Sequence, residues 1–373
     1  MRVYTSSSRP VRMLEPYDGS AMFIGSYVLQ LLLQFVFSMI LVMTKVSESF
    51  LSTPAGVMIL VILNETAILA TPLAYSKIRG QNLYTQVGFR TRVNVWQILL
   101  AIAAAIATIL AFAPIADAFV QFIAWTGYDV NGLTQMEVTS AGRYVLAIFF
   151  MCILPAVVEE LLYRGMLSRA FADRSVVAGV LLSGLLFAIM HGNPVQLVHQ
   201  FFLGCVCALL YYMTRSIWIP VIVHFCNNFY AVTGSYILAV QGQEAQAMPW
   251  WGSLICVIVG LAALAAVLYG MMRVSAKLRG KEQELAAVSG KGKWFKQFRI
   301  LYFIPEEEQV LQAEQAALQQ EYDACENQET REMLTVARKE EAEQIARRNR
   351  RALIYAILIG GVIWVINTIT GYM

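Results

Sequence analysis

Apolar residues in this chain come in long blocks with few charges inside them. Nine such blocks are close to the roughly 20 residues a helix needs to cross the hydrocarbon core of a bilayer. They are Ala21 to Thr44, Pro54 to Tyr75, Trp96 to Ala116, a stretch from near Arg143 through Glu159, Val176 to His191, Val195 to Met213, Ile217 to Leu238, Trp251 to Met271, and Ala352 to Tyr372. The expected fold is all-α: a polytopic transmembrane helical bundle of about nine spans, since only helices and closed barrels satisfy their backbone within lipid. The polar, basic N-terminus precedes the first block without a clear small-residue cleavage site, so that block is expected to be an uncleaved span.

Charge changes the picture in one place. Much of it sits between Arg273 and Arg351, which is expected to be a charged, helical, cytoplasmic insert. From Glu306 to Arg351 there is no Gly or Pro, so a long helix should begin after Pro305. Leu311, Leu318 and Tyr322 suggest one apolar stripe on it, and the basic-aromatic run Lys291 to Phe303 suits the inner leaflet. The expected organisation is N-terminal transmembrane helices over 1–140, a helical core over 141–240, and an eighth transmembrane helix over 241–272. The insert follows over 273–351, with a C-terminal transmembrane helix over 352–373.

The chain of 373 residues is 58% hydrophobic and 14% charged. A soluble domain carries about 25% charged residues, so this balance excludes both an ordinary cytosolic protein and a disordered one. A net charge of +3 gives no argument for nucleic acid. Five of the six cysteines lie in apolar runs and no CxxC occurs, so neither a disulfide framework nor a zinc knuckle is expected. Basic residues cluster in alternate loops: Arg2, Arg9 and Arg12; Lys77, Arg79, Arg90 and Arg92; Arg164, Arg169 and Arg174; Arg215; then Arg273, Lys277 and Arg279. The positive-inside rule then puts the N-terminus in the cytoplasm of a multi-pass cell-membrane protein.

Ionisable groups inside a bilayer need a reason to be there. The three histidines, His191, His199 and His224, all fall in or beside the fifth to seventh blocks. Glu159 and Glu160 are adjacent in the fourth block, and Glu65 sits in the middle of the second. Glu160 and Arg164 are four residues apart and share a helix face, so they can pair as structural support. Glu159, rotated about 100° from Glu160, faces elsewhere. His224 and Asn228 share a face, as do Phe187 and His191. His199 alone suits a helix-to-helix hydrogen bond.

Glu159, His191, His224 and Asn228 can therefore converge from separate helices on one polar pocket. Glu159 can take a proton from water and Asn228 can donate to an oxyanion. The imidazoles can hold that water, polarise a carbonyl or bind a metal. Glu159, His191 and His224 are enough ligands for a catalytic zinc with an open position.

The fourth block should extend to about Phe171, because Glu159 could not otherwise reach the depth of His191. Arg164 is then buried and marks no loop.

Three motifs resemble those of the CPBP family, the CAAX protease and bacteriocin-processing (Abi-like) proteins. Glu159-Glu160-Leu-Leu-Tyr-Arg164 is similar to its EExxxR, Phe187-Ala-Ile-Met-His191 to its FxxxH, and His224-Phe-Cys-Asn-Asn228 to its HxxxN. They occur in family order within about Ala141 to Val232. The resemblance implies an intramembrane endopeptidase in which Glu159 and His191 activate water while His224 and Asn228 stabilise the oxyanion. It implies a peptide or protein substrate that is lipidated or membrane-anchored, either zinc as cofactor or a glutamate-dependent mechanism without metal, and a bacterial membrane as the expected setting. HExxH and GxGD patterns are absent from the sequence, and Ser183-Gly184 lacks the Gly two residues before the serine that a rhomboid-like site needs. A proton-coupled transporter would instead use Glu65, Glu159 and the histidines as a relay, and a scaffold or bacteriocin-immunity protein would bind peptide without cutting it.

Overall fold

Proline opens several of the helices, where its missing N–H is not needed and its fixed φ suits the first turn. Pro16 starts α1 (Pro16–Met43), Pro54 starts α2 (Pro54–Ile78) and Pro194 starts α6 (Pro194–Thr214). The remaining helices are α3 (Val95–Trp125), α4 (Ala141–Phe171), α5 (Val176–Met190), α7 (Trp218–Gln241), α8 (Trp250–Leu278), α9 (Glu282–Ala287), α10 (Pro305–Asp323) and α11 (Gln328–Thr370). This is a computed structural model, and it describes residues 14–80, 82–83, 87–130, 138–172, 175–243, 246–288, 301, 305–325 and 327–370. Among the described residues every regular element is helical.

All nine expected blocks are helical over their described residues. Among the described residues, seven helices are by themselves long and apolar enough to span a membrane: α1, α2, α3, α4, α6, α8 and α11. The other two differ for physical reasons. Helix α5 has only 15 residues, a rise of about 22 Å against a core of about 30 Å. Helix α7 is long but carries His224, Asn227 and Asn228. The chain is a multi-pass membrane protein, and the outer faces of its helices present large apolar side chains such as Leu32, Phe35, Leu254 and Val362 to lipid.

Small residues let the helices approach. Ala101, Ala104, Ala107 and Ala111 form a buried face on α3, and α8 packs there. A Cβ on Gly260 of α8 would lie 2.3 Å from the Ala111 nitrogen, so the backbones are nearly touching. Helix α1 packs against α2 and α11, and α2 packs against α4. Gln34 donates to Asn64 at 2.8 Å to tie α1 to α2.

Basic residues gather at one end of the bundle. Arg79 at the end of α2 meets Asp18 at the start of α1 at 3.5 Å. Gln97 at the start of α3 donates to Ser275 near the end of α8 at 3.1 Å, beside Lys277. Thr91 donates to the Arg215 carbonyl at 2.8 Å, and Arg348 of α11 pairs with Glu15.

Helix α10 runs from Pro305 to Asp323, and α11 starts at Gln328. The two halves fold back on each other, with Arg338 paired to Glu321 and Arg331 stacked 5.3 Å over Tyr322. Leu318 and Tyr322 of the expected stripe are exposed. Helix α11 runs unbroken for 43 residues from the charged segment into the last span. The arginines Arg2, Arg9, Arg12 and Arg174 and most of Lys291 to Phe303 lie outside the described residues.

Candidate active site

Helix α4 carries the carboxylates and is not a regular α-helix throughout. Its turns widen to π-helix at Ile148–Ile153 and again at Tyr163–Leu167. The first widening has a cause in sequence: Pro155 has no N–H to give the Met151 carbonyl four residues back, and its ring would clash there. The Met151 carbonyl instead accepts from Asn228 Nδ2 at 3.0 Å. Pro155 thereby fixes the position of a site residue on α7. In the second widening Ser183 of α5 donates to the Tyr163 carbonyl at 3.1 Å. Widened turns of this kind are common at functional sites.

Between the two widenings, Glu159 and Glu160 point in different directions, as their spacing requires. One Glu160 oxygen lies 2.9 Å from Arg164 Nη1 and 2.9 Å from His224 Nδ1. Arg164 and Glu160 are completely buried. Glu160 therefore orients a histidine as well as neutralising an arginine. Glu159 turns to a cavity of about 760 Å³, where its Oε2 lies 3.8 Å from His224 Nε2.

His191 reaches the same cavity from the end of α5. Gly192 takes φ +62°, which ends the helix, Asn193 caps α6 by accepting from the Val195 N–H at 2.9 Å, and Pro194 begins it. This tight turn leaves the imidazole at a helix terminus. Its Nδ1 lies 2.8 Å from the Phe187 carbonyl, which can only accept, so Nδ1 carries the proton and Nε2 holds a lone pair. Phe187 is the hub of the site. Arg164 lies 4.4 Å over its ring, and His191 and His224 meet it edge-on at 4.8 Å and 5.7 Å.

Glu159, His191, His224 and Asn228 all line the one cavity. Counting back from Phe171 and forward from Val176, Glu159 and His191 lie about 18 Å and 22 Å from their helix ends, a similar depth. That depth follows from the unbroken run of α4 to Phe171. His199 of α6 also lines the cavity, its Nε2 donating to Asn227 Oδ1 at 2.8 Å. Asn227 in turn donates to Asn228 Oδ1 at 3.3 Å. Glu65 and Asp117 are further lining residues. The lining residues of α1, α3 and α4 lie away from the basic end of the bundle, so the cavity belongs to the other half.

For zinc, the donors do not gather. Among the described residues no group of three or more His, Cys, Asp or Glu is disposed to hold a metal ion. His224 and His191 each hold Nδ1 against a protein oxygen, which leaves only Nε2 of each for a metal. In this arrangement Glu159, His191 and His224 do not form a ligand set.

These features define a helical membrane protein with a buried carboxylate-histidine site. Residues 141–230 match the family model described as Type II CAAX prenyl endopeptidase Rce1-like. The membrane-embedded CAAX protease MroQ of Staphylococcus aureus (strain USA300) is 27% identical over 113 residues, which cover 28% of this chain and 46% of that protein. The match thus spans less than half the length of this curated relative. No solved structure matches the chain. Together with the three motifs, these matches assign segment 141–230 to the CPBP family.

Proposed function

We propose that the chain is an intramembrane endopeptidase that hydrolyses a peptide bond of a membrane-associated peptide or protein. The observation that carries the reading is the convergence of Glu159, His191, His224 and Asn228 on one cavity, with Glu160 buried behind His224. Water between Glu159 and His191 gives one hydrogen to the carboxylate and a second hydrogen bond to His191 Nε2. Its oxygen attacks the scissile carbonyl carbon. The oxyanion accepts from the Asn228 Nδ2 hydrogen that Met151 does not use, and from His224 Nε2. For this His224 holds a proton on each ring nitrogen throughout the cycle, and Glu160 balances its charge. The proton taken from water goes to the leaving amine as the C–N bond breaks. Preorganised donors of this kind contribute about 3–4 kcal/mol each to the barrier.

Each of these steps uses only side chains of this chain, and metal analysis of the purified protein tests that reading. By analogy with these CAAX endopeptidases, the substrate is a CAAX-type or otherwise membrane-anchored peptide.

The test is a variant series in vesicles against a library of membrane-anchored peptides. Glu159→Gln, His191→Gln and Asn228→Ala should each lose cleavage by about 10²-fold or more while remaining folded. Full activity in Glu159→Gln would refute the reading.

The bundle is oriented with its basic end in the cytoplasm, supported by Lys77, Arg79, Arg273 and Lys277 near that end. The N-terminus is then cytoplasmic and the cavity lies in the outer half of the membrane. A membrane-impermeant thiol reagent should label Gln243→Cys on intact cells, and Lys277→Cys only after permeabilisation. The reverse pattern would invert the orientation.

A further inference from the structure

Glu65 lies at the middle of α2, 94 residues before Glu159 in the chain, and none of the three motifs includes it. It is 6% exposed, and Glu159 is 7% exposed. The two carboxyls are within hydrogen-bonding reach of each other. One oxygen on each, Oε2 of Glu65 and Oε2 of Glu159, is buried without a hydrogen-bond partner. Both face the same cavity. Arg164, the nearby buried cation, is already paired to Glu160 at 2.9 Å.

Two carboxylates cannot both stay ionised in contact within a low-dielectric interior. A carboxyl and a carboxylate sharing one proton form a stable hydrogen bond. A carboxylate in the middle of a membrane helix is also costly, so a purely structural contact at this position has little to recommend it.

We propose that Glu65 is a catalytic residue, the proton donor to the leaving amine, paired with Glu159 as the base. The proposal rests on the endopeptidase reading. In the resting site Glu159 is the carboxylate and Glu65 the carboxylic acid. Water gives a proton to Glu159, and the resulting hydroxide oxygen bonds to the carbonyl carbon. The C–N bond then breaks, and its electron pair takes the proton of Glu65. Glu159 is left protonated and Glu65 ionised. The proton crosses the hydrogen bond between them, and the resting state returns with one water consumed. This replaces a single glutamate that must release its proton on the other side of the substrate. It also gives α2, outside the motif-bearing segment, a direct part in the reaction.

The test compares the wild type, Glu65→Gln and Glu159→Gln in lipid vesicles. Two probes of the same lipid-anchored sequence are used, one with a scissile amide and one with a scissile nitrophenyl ester, whose leaving group needs no proton. On the amide, Glu65→Gln should lose about 10²–10³-fold in kcat with KM little changed. On the ester it should recover to within about tenfold of the wild type, whereas Glu159→Gln should fail on both. Infrared spectra supply a readout that needs no turnover: the carboxylic C=O band of the wild type should be lost in Glu65→Gln. Equal loss on both probes, or no loss on either, overturns the proposal while leaving the endopeptidase reading intact. A folded wild type that cuts neither probe overturns both.

Discussion

Replacing Arg164 with methionine removes the cation from a pair in which both side chains are completely buried. At 2.9 Å and an effective dielectric constant near 20, the attraction within the pair is about 6 kcal/mol. Stacking of the guanidinium over Phe187 at 4.4 Å adds about 2 kcal/mol in a dry site. Methionine recovers part of the packing, and desolvation of the arginine offsets part of the attraction. The net loss expected from stranding Glu160 is about 3–5 kcal/mol. Removing both charges, in Arg164→Met with Glu160→Leu, leaves neither of them stranded and should return part of that stability, while the unpartnered Nδ1 of buried His224 retains about 1–3 kcal/mol of the loss. It should not return activity, because His224 Nδ1 loses the acceptor that orients it and balances its charge. Loss of an orienting carboxylate behind a catalytic histidine costs up to about 10⁴-fold. The assay is unfolding in mixed micelles by tryptophan fluorescence, with cleavage rates measured on the same preparations. A double variant that is both stable and fully active would refute the role assigned to Glu160. So would a single variant destabilised by less than about 1 kcal/mol.

Three further outcomes follow from the packing and the site. Gly184→Ala places a Cβ 2.7 Å from Cys205 Sγ and 2.9 Å from the Phe201 carbonyl, so α5 and α6 must separate. A loss of about 1–3 kcal/mol is expected in the same unfolding assay, with lower activity because His191 ends α5. His199→Ala removes the 2.8 Å bond to Asn227 and should cost about 1 kcal/mol while keeping cleavage within about tenfold of wild type. Chelation with removal of divalent metal should leave cleavage unchanged, and reversible loss of activity with recovery on adding zinc would show that the site rearranges to bind it.

Much of the site is legible in the sequence because its key pairs are local. Glu160 with Arg164, Phe187 with His191, and His224 with Asn228 are each four residues apart on one helix, so geometry alone puts each pair on one face. The extension of α4 to Phe171 is likewise forced by depth. Other features depend on contacts between distant segments. The link from Glu160 to His224 spans 64 residues, and Glu65 meets Glu159 from another helix, which periodicity does not encode. Phe187 is visible as a motif residue, but its position among one arginine and two imidazoles is not. Pro155 could have signalled the widened turn at Met151, since a proline inside a helix must free the carbonyl four residues back. The continuous α11 crosses the boundary expected at 351/352 because Ala, Arg and Glu on one side and Ala, Leu and Ile on the other all favour helix.

The central claim is that Glu159 and its neighbours split a peptide bond with water. The most direct measurement is cleavage of a membrane-anchored peptide library in water enriched with heavy oxygen, followed by mass spectrometry of the new C-termini. The wild type should produce new termini that each carry one heavy oxygen atom, and Glu159→Gln should produce none. New termini formed equally by both proteins, or none formed by a folded wild type, would contradict the account.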